Sequence, residues 1–180
     1  MLISKLDKEE YYGFVGVKDL KKYLYFIPLL LILSVNLWSG ININGSWKAI
    51  VFYILNMLNV GFIEEVIFRG FLFKMMEKDN LRNAIIVSSI TFGVGHIVNL
   101  FMGADLIPTL LQIAYATSIG YLFVTIFYKS KSLIPCIITH SIMNALSVFS
   151  VETTKMMYIS STFLIIVPLV YAFYINKKVK

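Results

Sequence analysis

Charge is what this sequence has least of. Only 14% of its 180 residues are Asp, Glu, Lys or Arg, against about 25% in a soluble domain. Too few charged groups exist to cover the surface of a soluble fold of this size, so the composition argues against one. Cysteine is nearly absent. Cys136 stands alone, which excludes an intramolecular disulfide and any cysteine-based zinc or redox motif. Histidine is almost as scarce, with only His96 and His140. The net charge of +6 falls in short tracts between apolar runs. No basic face or interleaved stripe suited to a nucleic-acid groove is present, so no nucleic-acid partner is expected.

What is abundant is apolar. Hydrophobic residues make up 58% of the chain and the mean hydropathy is +0.79. A membrane helix takes about 20 mostly apolar residues. Six windows fit: 23–38, 49–73, 84–102, 106–128, 133–149 and 156–175. None alternates with period two, which disfavours an outer-membrane barrel. The first is short and holds Ser34 and Asn36, so its ends are the least defined.

The basic residues test this division independently. With the N-terminus inside, thirteen of the sixteen Lys and Arg fall on the inner side; Lys48 and Lys155 fall outside and Arg69 lies within a window. That asymmetry is what the positive-inside rule demands. The expected fold is therefore all-α: a polytopic membrane bundle of about six transmembrane helices with both termini cytosolic. Residues 1–22 read as a cytosolic lead and 23–176 as one transmembrane domain. No small-residue cleavage site follows the first apolar run and the chain ends Lys-Val-Lys, so neither a cleaved signal nor a lipidation box is expected.

Against this background, polar groups inside the windows stand out. The second window contains Glu64, Glu65 and Arg69. Three charges facing lipid would cost about 7–10 kcal/mol, so they must face the bundle interior or water. Glu65 and Arg69 are four apart in the order that favours an intrahelical ion pair. Glu64 points about 100° away around the helix and has no such local partner. One carboxylate is balanced and the other is free to act; the competing reading is a purely structural ion pair beside a protonated Glu.

The third window carries His96 with Asn99 three residues on, and the fifth carries His140 with Asn144 four residues on, each pair expected on one helix face. Counting rise from the cytosolic rim, Glu64 lies about 15 Å deep, His140 about 14 Å and His96 about 21 Å. Glu64, His96, His140 and Asn144 can therefore meet in one polar pocket. Gly61, Gly70, Gly93 and Gly95 beside them are expected to allow close helix approach.

Such a pocket suits amide hydrolysis. A buried Glu can take a proton from water and deliver it to a leaving amine. His96 can help hold that water, and His140 with Asn144 can donate to the oxyanion of a tetrahedral intermediate. Alternatively, Glu64, His96 and His140 form a ligand set for catalytic zinc, although the helical His-Glu-x-x-His signature is absent. Two non-hydrolytic classes stay open from the residues alone: an immunity or scaffold protein binding through the same helices, and an ion or proton carrier, for which no inverted repeat of broken helices is present.

The ordered set Glu64-Glu65-x-x-x-Arg69, Phe92-x-x-x-His96 and His140-x-x-x-Asn144 resembles the three motifs of the CPBP family, the CAAX proteases and bacteriocin-processing enzymes also called the Abi family of intramembrane proteases. The resemblance covers about residues 50–150. It implies Glu64 as catalytic base, Glu65 and Arg69 completing the first motif, His96 activating water or binding metal, and His140 with Asn144 serving the oxyanion or completing a metal site. It implies a hydrophobic, membrane-associated and in some relatives lipidated substrate. Eukaryotic relatives remove the last three residues of prenylated CaaX proteins; bacterial relatives are linked to peptide processing and self-immunity. The abundance of Ile, Lys and Asn favours a bacterial source and hence the cytoplasmic membrane.

Overall fold

The computed structural model describes residues 8–17, 26–43, 45–151 and 153–178. A short helix α1 (Lys8–Tyr12) precedes α2 (Ile27–Ser34), which ends in a 3-10 turn at Val35–Leu37. The second window becomes one long rod of α3 (Trp47–Glu65), a π-helical segment (Val66–Phe73) and α4 (Lys74–Met76). Then follow α5 (Leu81–Gly95), α6 (Val98–Phe101), α7 (Leu106–Ser130), α8 (Ile134–Leu146) with a 3-10 turn at Ser147–Phe149, and α9 (Thr154–Lys178).

The architecture is the helical membrane bundle that hydropathy implied. Among the described residues, four segments are long and apolar enough to span: Trp47–Met76, Leu81–Phe101, Leu106–Ser130 and Thr154–Lys178. The first and fifth windows form shorter apolar helices, Ile27–Leu37 and Ile134–Phe149. Residues 23–25 of the first window, and residues 1–7 and 18–22 of the N-terminal lead, lie outside the described residues.

Local chemistry explains the boundaries. Asn80 caps α5 by accepting a hydrogen bond from the Asn83 amide at 2.9 Å. Pro135 opens α8, where a missing amide hydrogen costs nothing. Lys131 stops α7 by turning left-handed, with φ 57°.

Helix α7 is central, with α5 and α9 packed along it, while α3 pairs with α8. Leu122, Phe123, Val124 and Ile126 of α7 are buried and meet Phe73, Leu133 and Leu164 in the core. Polar residues tie the periphery in. Asn36, in the least defined window, donates its side-chain amide to the Met143 carbonyl of α8 at 2.6 Å. Residues 8–17 pack onto the bundle: the Leu133 amide donates to the Gly13 carbonyl at 2.8 Å, and the Ser132 hydroxyl to that of Val15 at 2.6 Å. Gly13 has φ 76° and its missing Cβ would overlap Phe127, so both backbone and space require glycine there.

Candidate active site

The site is built on the α3–α8 seam. A Cβ on Gly61 would lie 2.7 Å from the Ser141 backbone, so the two helices touch where α3 has no side chain. Ser141 adds a hydroxyl donated to the Leu58 carbonyl at 2.9 Å. This contact brings His140, the preceding residue, against the end of α3.

There the two glutamates separate in role. Glu65 is fully buried, and its Oε1 accepts from Arg69 Nη1 at 2.8 Å while lying 2.9 Å from His140 Nδ1. Beside a paired carboxylate, Nδ1 carries the proton and donates it. The opposite ring nitrogen, Nε2, then faces Glu64 Oε2 at 3.5 Å. The Glu64 side chain is 31% exposed, whereas those of Glu65 and Arg69 are 0% exposed. The carboxylate nearer the open side is thus the one without an arginine.

Arg69 falls in the π segment, whose wider i→i+5 bonding begins one residue after Glu65. Such insertions are frequent at functional sites. Its guanidinium lies over the Phe92 ring at 4.2 Å and over Phe123 at 5.6 Å. Gly120 of α7 makes the room: a Cβ there would come within 3.2 Å of both Arg69 Nη2 and Phe92. Arg69 Nη2 and Nε and Glu65 Oε2 have no hydrogen-bond partner among the described residues, and the rest of the cation lies against the two aromatic rings.

Phe92 also joins the two imidazoles. Its ring meets His96 edge-on at 5.6 Å and His140 at 5.4 Å between centroids. His96 is half-buried and caps α5, with its amide bonded to the Gly93 carbonyl. Asn144 is half-buried one turn beyond His140 on α8.

Several expectations are corrected. His96 and Asn99 do not share one helix, because α5 stops at Gly95 before the short α6; Asn99 instead donates to Gln112 Oε1 at 2.8 Å. Gly93 does allow close approach, since its Cβ would strike Thr117 of α7, but Gly95 faces open space and Gly70 has only ordinary contacts. Among the described residues, no three His, Cys, Asp or Glu side chains are grouped so as to hold a metal ion. Glu64, His96 and His140 are accordingly not gathered into one such group. Three contributors escaped sequence reasoning: Phe123, Gly120 and the π segment. A glycine inside an apolar helix, as at Gly120, was the one visible signal.

The family model for Rce1-like type II CAAX prenyl endopeptidases matches residues 46–146. The chain belongs to that family. The match agrees with the CPBP resemblance and covers every site residue from Glu64 to Asn144. No curated protein and no solved structure matches the chain. The family is one of CAAX proteases, which are hydrolases, and with its apolar helices the chain is a multi-pass membrane protein.

Proposed function

We propose that this chain is an intramembrane endopeptidase of a bacterial cytoplasmic membrane, hydrolysing peptide bonds of a hydrophobic, membrane-associated peptide or protein. The observation that carries the reading is the division of labour between adjacent glutamates: Arg69 and His140 occupy Glu65, while Glu64 faces His140 Nε2 and the open side.

The steps follow from these groups. Glu64 takes a proton from water as the water oxygen bonds to the substrate carbonyl carbon. His96, which like His140 meets the Phe92 ring, helps hold that water. The carbonyl oxygen becomes an oxyanion, which Asn144 stabilises by donating a hydrogen bond; His140 adds a second from Nε2–H when its ring has taken a proton from solvent, which it returns as the products leave. Glu64 then delivers its proton to the amine as the carbon–nitrogen bond breaks. Glu65, fixed by Arg69, keeps the His140 ring turned so that Nε2 faces the reacting atoms. No step needs a metal, and the donor geometry supports this glutamate-dependent route over a zinc-dependent one.

Maturation of a small hydrophobic peptide, or destruction of one as self-immunity, would each use this chemistry, and lipidated substrates fall within the same class. Purified wild-type chain and Glu64→Ala are compared on a library of apolar peptides read by mass spectrometry. Cleavage by the wild type alone is expected; equal cleavage by both would overturn the role of Glu64.

A further inference from the structure

Helix α3 presents, leading up to Glu64, a stripe that catalysis does not use. Tyr53, Asn56, Val60 and Glu64 follow one another at spacings of three, four and four, so they run along one face of the helix. Tyr53 and Asn56 are exposed, Val60 is half-buried and the Glu64 side chain is 31% exposed. The stripe is continuous with the Asn144 side of α8, because the Tyr53 hydroxyl bonds that of Ser147 at 2.8 Å. On its other side α5 packs on the π segment that follows Glu64 rather than along α3.

Asn56 is the anomaly. It lies nine residues from Trp47 and eight from Glu64 inside a membrane span, where lipid offers a carboxamide no hydrogen-bond partner. Polar side chains at such depth normally face protein or a polar cavity. Asn59 flanks the stripe one turn on and is also exposed. A carboxamide is both donor and acceptor, which matches a peptide group.

We propose that this stripe is a substrate track, in which Asn56 hydrogen-bonds the backbone of an extended, uncharged peptide segment whose scissile bond lies at Glu64. The proposal rests on the endopeptidase reading and adds the position and chemistry of a subsite. Eight helical residues span about 12 Å, and an extended peptide covers that in three to four residues at about 3.3 Å each. Asn56 therefore serves a residue three or four positions from the cleaved bond. Between residues 52 and 60 the track carries no charge, and side chains along it meet Phe52, Tyr53 and Val60, which selects neutral segments.

The test titrates a dye-labelled apolar twelve-residue peptide against the full chain in nanodiscs, carrying Glu64→Gln so that bound peptide is not consumed. Adding Asn56→Leu is expected to weaken binding about three- to tenfold, the size of one net hydrogen bond. Asn56→Gln in its place restores most of the affinity. Shortening the peptide by three residues, from one end and then the other, removes the difference from one end only. Equal affinity of the Leu and Asn chains, a difference indifferent to shortening, or no binding to the Glu64→Gln chain would each overturn the track. Hydrolysis by the chain with Glu64 intact is measured separately; its absence counts against the endopeptidase reading while the binding difference still decides the track.

Discussion

His140 Nδ1 lies 2.9 Å from Glu65 Oε1, and the same oxygen accepts from Arg69 at 2.8 Å. A single carboxylate oxygen thus joins the cation buried in the π segment to the imidazole of another helix. Because Glu65 and Arg69 have no exposed side-chain surface, neither partner can fall back on water. The arrangement fixes a ring orientation at the site and makes stability and geometry depend on the same two side chains.

Arg69→Met should therefore be costly. It leaves Glu65 buried without its cation, a loss of about 3–5 kcal/mol for a broken buried pair. Denaturant unfolding in detergent measures it, and an unchanged midpoint would contradict the buried pair. Arg69→Lys should recover only part of the loss, since an ammonium cannot reproduce the contact of the guanidinium with the Phe92 ring.

The adjacent glutamates should differ in what the same change does to stability. Glu64→Gln keeps the shape of a partly exposed side chain, so unfolding should shift by no more than about 0.5 kcal/mol. Peptide cleavage should nevertheless fall by about 10²–10⁴, the usual contribution of a positioned general base. Glu65→Gln should lower both, because Arg69 and His140 lose their shared acceptor. Similar stability losses in the two variants would refute the assignment of roles.

The sequence carried this division because it rests on local geometry. The four-residue spacing of Glu65 and Arg69 fixes their pairing on any helix, and the scarcity of charge made those residues conspicuous. The apolar windows likewise marked the six apolar helical segments, since length and hydropathy are one-dimensional. What escaped is what depends on neighbours. The break after Gly95 turns Asn99 toward Gln112, although nothing in the alternation of apolar residues marks an end there. Gly120 is informative only once Arg69 and Phe92 are known to lie against it. The π segment is a response to packing and has no periodic signature at all.

The glycines show the same limit and offer a test. Four near the motifs look alike in sequence, yet a Cβ at Gly61 would stand 2.7 Å from the Ser141 backbone whereas one at Gly95 meets nothing within 4 Å. Backbone cannot step aside as a flexible side chain does. Gly61→Ala should cost about 1–3 kcal/mol by overpacking and, by prising α8 away, weaken cleavage as well. Gly95→Ala should be free of steric cost and stabilise or leave unchanged the end of α5. Equal tolerance at both positions would mean that the α3–α8 contact is looser than described.

Metal dependence can be decided by the number of ligands. A catalytic zinc takes three protein ligands and leaves one position for water. His140 has Nδ1 committed to Glu65, so only Nε2 is available to a metal, with Glu64 opposite it. A third ligand would have to come from His96, and no group of three donors forms among the described residues. Cleavage should therefore survive incubation with 1,10-phenanthroline and dialysis against chelator, with no gain on adding zinc. Loss of activity with chelator and its return with zinc would instead require His96 to join Glu64 and His140 Nε2 as a ligand, and would place water activation on the metal rather than on the glutamate.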